Sequence, residues 1–265
     1  LLLCLSFPIS AFALEVNNTT IDTDAKGSLT IYKVDLTNAE KDGVWDSSYV
    51  STGVYDQDVY DALIGAARAG DTDDTSDLGN GETSHGYAVK GVEFTYLRVA
   101  DIVQFTESTA DGADFDHVEV LYGIDKTKGA DLLSILGLAA GAQRYENAGN
   151  SDKLDSANYY YQSDVLVAAL NTALETNATT VKNALESYVA ANGGTAMPLT
   201  DAYGKTSAAG MDLGLYLLVE TKVPEMVTST CNPFFVSLPM TSVNGSNATD
   251  GGTRWIYDVT IYPKN

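Results

Sequence analysis

The amino-acid sequence predicts a mainly β protein: one sandwich interrupted by a helical insertion near 123–205. Three observations lead there. The 16 tyrosines, with frequent Val, Thr and Ile, favour extended backbone over helix. Period-two alternation marks segments on both sides of the chain's middle, at 28–35 and 91–101 and again at 215–221, 233–238 and 255–262. Between them lies a long helical stretch at 163–192. Strands, then helices, then strands imply one sandwich whose first and last strands are far apart in the chain.

The opening residues 1–13 are uncharged and mostly apolar, and Ala11-Phe12-Ala13 is a small-residue cleavage site, so they are expected to be a signal peptide cut before Leu14. There is no starting Met and no basic stretch, so this signal is expected to be truncated at its start. It is too short for a membrane anchor, which needs about 20 apolar residues. Residues 14–27 form a polar leader, and the domain proper is expected over 28–265. In the first strand, Leu29, Ile31 and Lys33 share the face that should be the core.

Residues 56–68 predict a short helix, with Val59, Leu63, Ala66 and Ala67 on its apolar side and Gly70 as a stop. The acidic run at 71–77 has the wrong spacing for an EF-hand and is read as a solvated loop. A short strand is expected at 118–122 and a Leu- and Ala-rich helix at 129–142. The long helix at 163–192 is expected to be capped by Ser163 or Asp164, to break near Asn177-Ala178-Thr179, and to end at Asn192-Gly193-Gly194. In 214–224, Tyr216, Leu218 and Glu220 share one face; in 255–265, alternation sends Asn265 inward with Val259 and Ile261, and Lys264 outward with Asp258 and Thr260.

The formal net charge of −21 opposes binding to phosphate backbones and to anionic membranes, and is read as a solvated extracellular surface. Cys4 would leave with the signal, so Cys231 is left without an internal disulfide partner and is read as a small buried hydrophobe. His85 and His117, the two histidines, have no metal-ligand or nucleophile context, so neither a metal, a cofactor nor a turnover enzyme is expected.

Alone, a strand lysine snorkels and a strand glutamate sits at an edge. Lys33, Glu220 and Asn265 together suggest more. Burial disfavours the charged forms of both lysine and glutamate side chains. A neutral amine is a nucleophile, and a protonated carboxyl can polarise a carboxamide and shuttle protons. Attack on the Asn carboxamide would expel ammonia and leave a Lys–Asn isopeptide, once per chain.

Here the sequence resembles the backbone pilins of Gram-positive bacteria, the sortase-assembled SpaA-like family. Residues 255–265 are similar to the pilin motif W-x-x-x-V-x-V-Y-P-K-N, with Ile261 for the second Val. Residues 216–224 resemble the E-box Y-x-L-x-E-T-x-A-P, with Val223 for the Ala, and Glu225-Met226 also departs from it. Residues 27–35 resemble the opening strand.

The resemblance implies an immunoglobulin-like (Cna B-type) β-sandwich. It also implies an intramolecular Lys33–Asn265 cross-link with Glu220 as proton shuttle, and Lys264 as the intersubunit acceptor. The implied partners are identical pilin subunits, a class C sortase, and minor tip and basal pilins. The implied location is a cell-wall pilus. Further domains and a sorting signal are expected beyond Asn265. The rival reading is an adhesive or carbohydrate-binding module, with Tyr159-Tyr160-Tyr161 as a stacking platform.

Overall fold

The computed structural model describes residues 21–45, 49, 51–67, 75–77, 83–107, 117–138, 154–225, 230–241 and 255–263. The expected signal peptide, residues 14–20 of the leader, Gly70, residues 71–74 of the acidic run, Lys264 and Asn265 lie outside them.

The first strand, β1, runs Gly27–Tyr32. It stops short of the predicted end because Asp35 turns to cap helix α1, Leu36–Lys41, accepting the Asn38 N–H at 3.1 Å. That helix has no counterpart among the predicted elements. Helix α2 is Gln57–Leu63, capped by Asp56. It is shorter than predicted: Ile64 is buried beyond its end, and Ala66 and Ala67 are exposed. Strands β2, Thr75–Asp77, and β3, Thr83–His85, pair as a small hairpin. Strand β4, Glu93–Glu107, pairs with β5, His117–Asp125; both outrun their predicted lengths.

Helix α3, Ala130–Ile135, is followed by strand β6, Asn158–Tyr161, and helix α4, Ser163–Ala191. The cap of α4 is Gln162, without a side-chain hydrogen bond, and not Ser163 or Asp164. The expected break is present: Asn177 has φ −159° and ψ 82°, and its side chain accepts the Thr180 N–H at 3.1 Å, capping the helix afresh. Then follow β7 (Thr195–Ala196), β8 (Lys205–Met211), β9 (Gly214–Lys222), β10 (Phe234–Leu238), β11 (Met240–Thr241), β12 (Trp255–Ile256) and β13 (Asp258–Ile261).

Two sheets position the site. One has the order β13-β1-β8; the other has the order β10-β9-β4-β5-β6, with β7 beside β4. The architecture is thus mainly β, with α3 and α4 in the expected insertion. The two ends of the domain meet: β1 and β13 are parallel neighbours, with Leu29 opposite Val259 and Ile31 opposite Ile261.

Both faces of β9 are buried. Leu215, Leu217 and Val219 join the core under α3 and α4, with Leu166, Leu170, Leu185 and Val189. Tyr216 and Leu218 join the core against β1 and β13, with Leu29, Ile31, Val259 and Ile261. A continuous apolar run fits such a central strand, and alternation alone reveals only one of its two partners. The tyrosine run is not a platform: Tyr160 and Tyr161 are 1% and 0% exposed, and Tyr159 takes a Lys126 amine over its ring at 4.6 Å.

Gly204 closes the turn before β8 with φ +68°, and its carbonyl accepts the Lys33 N–H at 2.8 Å. A Cβ there would lie 2.2 Å from the Lys33 carbonyl oxygen. Gly204→Ala is therefore expected to lower stability by more than the ~1–2 kcal/mol of left-handed backbone alone, read as a reduced urea midpoint.

Candidate functional site

Lys33 comes one residue after β1, still facing the core with Leu29 and Ile31. Its side chain is fully buried, and its Nζ lies 2.7 Å from Glu220 Oε1, whose side chain is also fully buried. The pair thus joins the two sheets across the core. The Phe94 ring lies beneath the amine at 5.9 Å. Phe94 stands opposite Glu220 in the β4–β9 ladder, so it forms an apolar floor to the pair.

Glu220 keeps the inward face of Tyr216 and Leu218, and a bulge follows it. Glu93 pairs with Lys222 and Phe94 with Glu220, leaving Thr221 as the extra residue. The strand's alternation ends here. Glu220 points inward, while Thr221 and Lys222 are both exposed. Thr221 Oγ1 is held by Thr95 Oγ1 and Glu93 Oε1, each at 2.9 Å.

The second carboxylate oxygen, Oε2, accepts the Cys231 backbone N–H at 2.7 Å. The short distance fits a charge-assisted bond. Cys231 is buried, as expected of a small hydrophobe, and burial pushes its thiol up to about 12, with Glu220 adding to the effect. Two half-buried α4 residues, Lys182 and Glu186, also belong to this neighbourhood. Burial lowers the Lys182 amine, against the pull of Cys231, Glu220 and Glu186; burial raises the Glu186 carboxyl.

The structure brings two of the predicted residues, Lys33 and Glu220, into contact. Lys264 and Asn265 lie outside the described residues, but the strand leading to them is fixed. Ile261, Tyr262 and Pro263 are buried. Tyr262 stacks on Tyr32 at 5.4 Å and 14°, and its hydroxyl donates to the Asp56 carbonyl at 3.3 Å. Val259 and Ile261 face inward and Asp258 is exposed, as the alternation predicts.

Sequence reasoning missed the Cys231 amide, Phe94 and Lys182. The place of Phe94 opposite Glu220 depends on a register that no local pattern encodes. Among the described residues, no group of three or more His, Cys, Asp or Glu could hold a metal ion, and no helix is long and apolar enough to cross a membrane. His85 stacks on Tyr203 at 4.0 Å.

Two experiments check this environment. Glu220→Ala leaves the Lys33 ammonium buried without its carboxylate and is expected to cost about 3–5 kcal/mol. Lys33→Met combined with Glu220→Leu removes both charges and is expected to recover much of that, as read by chemical denaturation. Separately, Cys231 is expected to resist a thiol reagent at pH 8 in the folded protein and to react fully once unfolded. Rapid labelling of the folded protein would contradict the buried, unionised thiol.

Comparison with known proteins gives this geometry a context. Residues 141–265 match the family model for the N-terminal domain of Gram-positive pilin subunit D1. A stretch of 66 residues is 36% identical to the fimbrial subunit type 2 of Actinomyces naeslundii, covering 25% of this chain and 12% of that protein. Among solved structures, the full-length major pilin SpaD of Corynebacterium diphtheriae is 19% identical, with 93% of this chain and 33% of that one covered at a TM-score of 0.39. The pilus backbone protein RrgB of Streptococcus pneumoniae is 13% identical, with 90% and 41% covered at a TM-score of 0.26. The chain therefore spans about an eighth of the fimbrial subunit's length and a third of SpaD's.

Proposed function

We propose that this chain is part of a Gram-positive pilin subunit, a structural element of a covalent surface pilus, joined to the next subunit through Lys264. In this reading a class C sortase cleaves the sorting signal of one subunit and holds it as an acyl-enzyme. The Lys264 ε-amine of another subunit attacks that carbonyl, and the enzyme thiol leaves. The partners are then identical subunits, the sortase, and minor tip and basal pilins. The chain is exported by a signal at 1–13, and 28–265 is the N-terminal pilin domain.

The same reading includes an internal Lys33–Asn265 isopeptide. The observation that carries it is the Lys33–Glu220 pair, fully buried and 2.7 Å apart. A surface-type ion pair needs no such burial, and because burying two charges adds little net stability, a role beyond stability accounts for the pair better. The parallel β1–β13 pairing supports it too, because it runs the chain toward Asn265 alongside the chain leading to Lys33.

The chemistry balances within the protein. Moving the Lys33 proton to Glu220 leaves a free amine and a protonated carboxyl. The amine attacks Asn265 Cγ, and the carboxyl holds the carboxamide oxygen. The attacking nitrogen then gives up a second proton, which passes by way of Glu220 to Nδ2; the Cγ–Nδ2 bond breaks and ammonia departs, leaving the amide and a protonated Glu220. The bond would tie the first strand to the last. By analogy with a disulfide closing so long a loop, it would stabilise the domain by about 5 kcal/mol. Tension along the pilus would then run through covalent links.

Intact mass and peptide mapping test the internal bond. The expected result is the loss of one ammonia and a cross-linked peptide joining Lys33 to Asn265, both abolished in Glu220→Ala. An unshifted mass would remove the internal bond from the proposal. Incubation with a class C sortase and a sorting-signal peptide tests the external one: product is expected with the wild type and not with Lys264→Ala. Equal product from both would overturn Lys264 as acceptor.

A further inference from the structure

We infer that Lys182, on helix α4, is the positioning residue that holds Glu220 in its orientation toward Lys33. The inference deepens the isopeptide reading and rests on it for the catalytic consequence, though not for the geometry. Glu220 Oε2 is fixed by the N–H of Cys231 at 2.7 Å. That N–H belongs to the peptide unit joining Thr230 to Cys231. The carbonyl oxygen of the same unit accepts a hydrogen bond from Lys182 Nζ at 2.8 Å, with Thr230 Oγ1 at 3.5 Å from the same nitrogen. One peptide plane is gripped at both ends, by an ammonium on its oxygen and a carboxylate on its N–H.

A peptide unit is rigid and planar, so it turns as a whole. Turning the carbonyl away from Lys182 swings the N–H away from Glu220. The ammonium also polarises the unit and makes its N–H a stronger donor, since hydrogen bonds in a chain reinforce one another at low dielectric. The carboxylate is left with one oxygen committed to the peptide and the other toward Lys33, 2.7 Å away. The helix makes this reach available. The break at Asn177 starts a second helical segment, which carries Lys182 and packs into the core through Leu185 and Val189. The inserted helix thus joins the site of the first and last strands through a single backbone peptide.

A lysine that merely snorkels to a nearby carbonyl would leave Glu220 unaffected when removed. The test separates the two in the intact protein. Lys182→Met is expected to move the Cys231 amide proton upfield and speed its hydrogen exchange. It should also slow ammonia loss about tenfold or more. Lys182→Arg, which keeps a charged donor, is expected to restore both.

An unchanged Cys231 amide in folded Lys182→Met would overturn the inference. If the wild type loses no ammonia, the isopeptide reading fails, and the amide signals alone decide the positioning. If Lys182→Met does not fold, a through-hydrogen-bond coupling between Lys182 15Nζ and the Thr230 carbonyl carbon in the wild type supports the inference; its absence overturns it.

Discussion

The ion pair between Lys33 and Glu220 is the constraint around which the two sheets are arranged. It lies where a lysine and a glutamate are least comfortable, between the apolar faces of a central strand and the first strand of the domain. Two desolvated charges tolerate little error in placement, so their surroundings are built to hold them. The Thr221 bulge ends the alternation of β9 just after Glu220, at the point where the strand meets solvent. Gly204 lets the backbone approach Lys33 closely from the turn before β8. The Cys231 amide fixes the free end of the carboxylate.

That constraint joins segments distant in the chain. Lys33 follows the first strand, Glu220 lies near the end of β9, and the peptide of Thr230 and Cys231 precedes β10. The parallel β1–β13 pair then closes the domain, and the Tyr32–Tyr262 stack extends the closure past the end of the hydrogen-bonded ladder. The layout leaves the two ends of the domain side by side, with the rest of the described chain between them. The helical insertion sits on the opposite face of β9 and reaches the pair through Lys182.

Much of this was legible in the residues. A lysine in line with Leu29 and Ile31, and a glutamate in line with Tyr216 and Leu218, break the rule that core faces are apolar, and both positions are buried as that break implied. The kink at Asn177 followed from a poor helix-former that caps well. Other features were less legible. The long helix is capped by Gln162 because β6 delivers the chain in an extended conformation, which overrides the preference for Ser163. The 56–68 helix ends early because Ile64 turns into the core.

The sequence by itself determined the β character, the inward direction of Lys33 and Glu220, and the site of the helix break. These depend on side-chain period and local backbone preference, which neighbours along the chain encode. Only the tertiary structure decided that Phe94 floors the pair, that Cys231 supplies an amide and not a thiol, and that Lys182 grips the far end of the same peptide. Those contacts join residues on β4, β9 and α4 and in the segment before β10. Their positions are set by strand register and sheet packing, and those depend on many side chains acting together.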